Sequence, residues 1–158
     1  MSAPHGMGPP MRRKKPRRKQ PEQIFQRQVA DFLDLALPRP DAWFTAIPAG
    51  APGKLRGAIM QGMGYTPGTP DMVVIYKWLP PIWLELKSAG GGLSKAQEQC
   101  RKDLGAAGCC WALCRTLEDV ERALKRFGVP LRASVGGVAG EGMEGFRFEP
   151  HVDSENPW

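Results

Sequence analysis

DMVVIYKWLPPIWLELK, residues 71–87, decides how this chain is read. Two runs rich in β-branched and aromatic residues, MVVIY and IWLEL, flank a Pro-Pro turn. Such runs favour strands, and the turn joins them as a hairpin-like pair. Asp71 opens the first run, while Glu85 and Lys87 close the second. Side chains alternate along a strand, so Glu85 and Lys87 share a face and Leu86 points away. Pairing the two runs brings Asp71 beside them. Two carboxylates and an ammonium then meet at one corner of a mostly apolar sheet. Hard divalent cations take oxygen ligands of this kind, often one or two carboxylates completed by waters and substrate phosphates. A neighbouring lysine can orient or activate a water and stabilise charge on phosphate. The plainer alternative is an edge-strand Asp and a solvated Glu-x-Lys pair, which carries little energy. Flanking runs as apolar as VVIY and IWL argue against a solvated face.

IPAG (47–50), GYTPGTPDMVVI (64–75) and WLELKSAGGGLSKAQEQ (83–99) together resemble the PD-(D/E)xK nuclease pattern, and their setting is similar to its VRR-NUC branch. The resemblance runs from about Glu22 to Phe127. PD…ExK alone is a loose motif. A Gly/Pro loop ahead of the Asp, β-like runs on both sides and a Gln-bearing helix after the Lys make the joint pattern more specific. The resemblance implies an α/β chain with a restriction-endonuclease-like core, a central mixed sheet flanked by helices. It implies a Mg²⁺- or Mn²⁺-dependent DNA endonuclease, with Asp71 and Glu85 as direct ligands and the Leu86 carbonyl completing the protein's side. Lys87 then positions or deprotonates the attacking water, and Gln97 lines the site. Stand-alone members resemble Holliday-junction resolvases and tend to be small homodimers. That implies branched or duplex DNA as partner, a second copy of the chain, and the cytoplasm of a bacterial or phage-infected cell. Two alternatives stand beside it: a non-catalytic nucleic-acid-binding module on the same scaffold, and a sequence-specific restriction-type endonuclease. Restriction-type enzymes usually carry added recognition segments, for which this chain has little room outside its tails.

At 158 residues the chain has room for one domain with a real core. No apolar run is long enough to span a membrane, and no apolar stretch follows the N-terminal basic residues as in a secretory signal. The net charge of +6 is unevenly spread. Residues 12–19, RRKKPRRK, carry seven basic groups and no acid; the rest has 15 basic and 16 acidic residues. A near-neutral body with a polybasic arm fits a protein whose arm neutralises phosphates without reading sequence. Arg12, Arg13, Lys14, Lys15, Arg17, Arg18 and Lys19 are its contacts on that reading; on the other, the arm is a disordered solubilising extension. Four cysteines, Cys100, Cys109, Cys110 and Cys114, match no zinc spacing and read as reduced, buried thiols.

Three parts follow: a basic arm over 1–20, a nuclease-like domain over 21–128 and an irregular acidic tail over 129–158. Pro21 opens a helix to about Leu37, with Phe25, Val29, Phe32, Leu33 and Ala36 on one stripe. Glu22 lies on the same stripe. By resemblance it is the first-helix acid that reaches a metal; by itself it is a first-turn Glu favoured by the helix dipole. Ala42–Ile47 reads as a strand, and Lys54 to Gly64 as a helical turn or mobile segment. Lys54 and Arg56 fall where related nucleases meet the phosphate backbone, or are loop residues in water. Gly68 supplies backbone angles closed to other residues. Ser94 and Gln97 have the form of a capping box opening a helix to about Ala107, and Lys95, Arg101 and Lys102 give that helix a basic side. Cys109–Cys114 reads as a strand, and Thr116 caps a last helix ending at Gly128.

Overall fold

Helix α1 (Pro21–Ala36) buries Val29, Phe32, Leu33 and Ala36, the inward stripe read from its 3.6-residue period. Strand β1 (Ala42–Ala46) follows, then helix α2 (Lys54–Gly62), strand β2 (Met72–Tyr76) and strand β3 (Ile82–Leu86). Helix α3 (Lys95–Ala106), strand β4 (Cys110–Cys114) and helix α4 (Leu117–Arg126) complete the anticipated order. This computed structural model describes residues 21–48 and 54–138. The arm residues Arg12 to Lys19 and the tail beyond 138 lie outside them.

The strands form one mixed sheet in the order β1-β2-β3-β4. β1 and β2 are antiparallel, as are β2 and β3, whereas β3 and β4 are parallel. Two parallel neighbours need a crossover, and α3 supplies it. Met72, Val74, Ile82, Leu84, Leu86, Cys110 and Cys114 share one face and pack against α1 and against Val120, Ala123 and Leu124 of α4. On the other face Gln97 of α3 reaches Glu85, and Arg101 stacks over the Trp111 ring at 5.5 Å. The sheet therefore lies between α1 and α4 on one side and α3 on the other. The central mixed sheet flanked by helices is the expected fold class.

α3 and α4 begin as the sequence indicates. The Ser94 and Thr116 side chains accept from the Gln97 and Asp119 amides, and both capping boxes are complete. The described cysteines are unbridged, and burial pushes the Cys110 and Cys114 thiols to about 11 and about 12. The described start of the segment read as an irregular tail, 129–138, is packed and partly paired. Val129 and Leu131 are buried in the core, Arg132 N–H donates to the Ala36 carbonyl, and Ala133–Ser134 pairs with Gly137–Val138. Two apolar residues just past the Gly128 helix stop are enough to hold this segment against α1 and α4.

The approach to β2 is fixed by Gly68, at φ +82. A Cβ there would lie 2.3 Å from the Ala96 carbonyl oxygen and 2.6 Å from the Gln97 nitrogen. The loop before Asp71 is thus seated on the first turn of α3. Gly68→Ala should lower the unfolding free energy by about 2–4 kcal/mol, from left-handed strain and overlap with immovable backbone. Urea titration checks this, and an unchanged midpoint would contradict the close approach.

Candidate functional site

The ladder between β2 and β3 pairs Met72 with Leu84 and Val74 with Ile82. One step further, the same register sets Asp71 opposite Glu85; a second step sets Pro70 opposite Leu86. Residues of one parity on β3 direct both N–H and C=O toward β2, the other parity toward β4. Lys87 N–H accordingly donates to the Cys114 carbonyl on β4, 3.0 Å away. Leu86 faces the β2 side, but its register partner Pro70 has no N–H to offer. The Asp71 carboxylate fills half of the gap: its Oδ2 accepts the Leu86 N–H at 2.7 Å. The Leu86 carbonyl is left without a ladder donor from β2. Asp71 is itself tied in place, its carbonyl accepting the Ile47 N–H at 2.7 Å.

Asp71 and Leu86 line a cleft of about 350 Å³ with Ile47, Pro48, Gln26 and Glu22. Glu22 is exposed at the start of α1, at the rim of the cleft and not inside the stripe that buries Val29. Glu85 is 1% exposed, the buried charged side chain of the described core. Its Oε1 accepts from Lys87 Nζ at 2.9 Å and from Gln97 Nε2 at 2.5 Å. Gln97 Oε1 meanwhile accepts the Ser94 N–H at 2.9 Å. The two ends of its amide thus serve the capping box and the Glu85 carboxylate at once.

Burial is the first cause that raises the Asp71 carboxyl above its ordinary value, and it does the same to Glu85. The Leu86 amide and Lys87 oppose the shift at Asp71, and Lys87 opposes it at Glu85. Each carboxylate also repels the field of Glu22, and Glu85 feels Asp71 directly. Raised carboxyls make their ionised forms costly, so that cost sets in as pH rises through the folded values. Desolvated, mutually repelling oxygens and a carbonyl with no strand donor are a fitting donor set for a hard cation. Among the described residues no three His, Cys, Asp or Glu gather closely enough to hold a metal alone. A cation at this corner would draw only part of its shell from these two carboxylates and the carbonyl, and the rest would have to come from water or phosphate oxygens.

The basic residues are dispersed. Lys95 is exposed at the start of α3, and Lys54 and Arg56 lie in the first turn of α2. No motif in the sequence singles out Arg115. It becomes a neighbour of the site only through the parallel pairing of β3 with β4, which no local motif encodes.

No family model and no curated protein matches the chain. A solved structure described as a "VRR_NUC domain protein" is similar in fold, with a TM-score of 0.51 and 15% identity over 70% of this chain and 90% of that one. At that identity the likeness speaks for the fold alone, and the fold is VRR-NUC-like.

Replacing Gln97 by Leu should cost about 2–3 kcal/mol, because it strips a partner from a buried carboxylate as well as from the cap. Ser94→Ala should cost only about 1 kcal/mol, a capping loss. Equal losses on thermal unfolding would mean that the Gln97–Glu85 contact supports nothing.

Proposed function

We propose that this chain is a Mg²⁺- or Mn²⁺-dependent DNA endonuclease, selective for branched or junction-like DNA and active as a homodimer. The observation that carries the reading is the corner formed by Asp71, Glu85, the Leu86 carbonyl and Lys87. There, two carboxylates desolvated by burial lie by a carbonyl that has no ladder donor from the β2 side, with an ammonium alongside. The VRR-NUC-like fold supports it. Among the described residues no helix is long and apolar enough to cross a membrane.

Asp71, Glu85 and the Leu86 carbonyl would hold the divalent cation, which would supply Lewis acidity to a phosphate oxygen and lower the pKa of a bound water. The chain's own residues do the rest. Asp71 keeps the Leu86 amide occupied, so the strand end cannot close on itself. Lys87 spends one of its three N–H donors on Glu85 and keeps others for the attacking water or a phosphate oxygen. Gln97 donates to the same Glu85 oxygen as Lys87 and helps to fix that carboxylate. Glu22, at the rim, adds negative potential that favours a cation in the cleft. Lys54, Arg56, Lys95 and the arm from Arg12 to Lys19 meet the phosphate backbone and contribute affinity without sequence choice.

Purified protein should be assayed on labelled junctions, flaps, duplex and single strands, in Mg²⁺, in Mn²⁺ and in chelator. Branched DNA should be cleaved only with the metal present. Asp71→Ala, Glu85→Ala and Lys87→Ala should each lower the rate by at least ~10²–10³-fold while remaining folded. Glu22→Gln should raise the Mg²⁺ concentration needed for half-maximal rate. Binding of DNA with no cleavage in either metal would favour the non-catalytic module. Cutting at one fixed base sequence whatever the branch would favour a restriction-type enzyme.

A further inference from the structure

Lys87 is followed by Ser88-Ala89-Gly90-Gly91-Gly92, a run that its sequence alone would leave loose. The structure closes it. Gly91 N–H donates to the Ser88 carbonyl at 3.1 Å, and Gly90 takes φ +83 between them. Arg115 then grips the turn from outside. Its two terminal nitrogens donate to the Ser88 carbonyl at 2.8 Å and the Gly91 carbonyl at 2.6 Å. A planar guanidinium can span two carbonyls in this way; a lysine ammonium cannot span them with fixed geometry.

The turn in question lies against the stem of Lys87. A Cβ on Gly91 would meet Lys87 Cδ at 3.6 Å and Lys87 Cβ at 3.8 Å. Lys87 is only 16% exposed, so the turn is part of its wall. Arg115 is well anchored for this task. The β3–β4 register pairs Leu86 with Cys114, and one further step sets Lys87 beside Arg115 on the same face. Arg115 N–H donates to Asp119 Oδ2 at 2.9 Å, and the same oxygen accepts the Thr116 N–H at the cap of α4. Asp119 turns its other oxygen to Arg122, so it does not neutralise the Arg115 guanidinium. That guanidinium bridges carbonyls and does not close an ion pair with a described carboxylate.

We propose that Arg115 is a positioning residue for the reaction: it clamps the Ser88–Gly91 turn, and through the turn it holds Lys87 against Glu85. This rests on the nuclease reading of the site. Downstream of the turn come Ser94 and Gln97, so the clamp also fixes where α3 presents Gln97 to Glu85. Loss of the clamp misplaces the ammonium without removing any group that touches DNA. Misplacements of about 1 Å at a reacting centre cost rates on the order of 10²-fold.

The test uses the full chain, with Arg115→Ala, Arg115→Lys and Gly90→Ala. Gly90→Ala strains the turn by its backbone angle alone, since a Cβ there meets open space. Arg115→Ala should lower kcat by about 10–100-fold with KM for DNA within about twofold. Arg115→Lys, which keeps the charge and loses the fork, should restore little. Combining Arg115→Ala with Gly90→Ala should lose scarcely more than either alone, as for two changes acting through one turn. Hydrogen exchange should speed up at the Gly91 amide and not at Thr45 in β1. A wild-type chain that cleaves no DNA would overturn the nuclease reading, and the exchange measurement would still judge the clamp. A cleaving wild type whose Arg115→Ala form keeps its kcat would overturn the proposal alone. So would a raised KM fully restored by lysine, which would make Arg115 a phosphate contact. If Arg115→Ala does not fold, the Gly90→Ala and Arg115→Lys forms carry the same comparison: unchanged kcat in both would refute the clamp.

Discussion

Pro70 withholds an amide from the Leu86 carbonyl, and Asp71 takes the Leu86 amide in its place. That local breach of the β2–β3 ladder is the constraint on which the rest of the corner depends. A strand residue at the position of Pro70 would pair with Leu86 in both directions and close the sheet. Proline at the first step of the pairing leaves a carbonyl open and hands the amide to a carboxylate. The Gly68 turn brings Pro70 and Asp71 to this place by resting directly on α3. The same first turn of α3 carries Gln97 to Glu85. Loop, strand end and helix start are thereby locked as one piece around a few oxygen atoms.

Electrostatics set this corner apart from an ordinary ion pair. Lys87 and Glu85 form a contact that, on a surface, would count for little. Here Glu85 is buried, and desolvation outweighs the help that Lys87 gives it. Asp71 is raised for the same first reason. Two carboxylates whose ionised forms burial makes costly are a liability to a structural protein and an asset to a cation site. Their cost is retained because, on the proposed reading, a divalent cation offsets it.

Much of this could be read from the chain because the deciding signals are local. Alternation set Glu85 and Lys87 on one face, the capping boxes marked where α3 and α4 start, and the period of α1 selected Val29, Phe32, Leu33 and Ala36. What was hidden is long-range. The parallel register that brings Arg115 beside Lys87 links β3 to β4 across a whole helix. The Pro70–Leu86 mismatch appears only once the antiparallel register is known. Glu22 lies on the apolar period of α1, yet the helix emerges from the core at its first turn, so the residue ends at the cleft rim. Val129 and Leu131 are only two apolar residues, too few to make a periodic pattern, and their docking on α1 and α4 depends on a surface built elsewhere.

The central claim is that Asp71 and Glu85 are held in tension for a cation. Thermal unfolding of wild type and Asp71→Asn at neutral pH, with and without Mg²⁺, tests it most directly and needs no substrate. Asparagine can still accept the Leu86 amide and removes one of the repelling charges. Without Mg²⁺ the variant should therefore be at least as stable as wild type. Mg²⁺ at about a hundredfold above its Kd should stabilise wild type by ~2.7 kcal/mol and leave the variant unchanged. A variant clearly less stable than wild type without metal, with equal Mg²⁺ effects on both, would contradict the account.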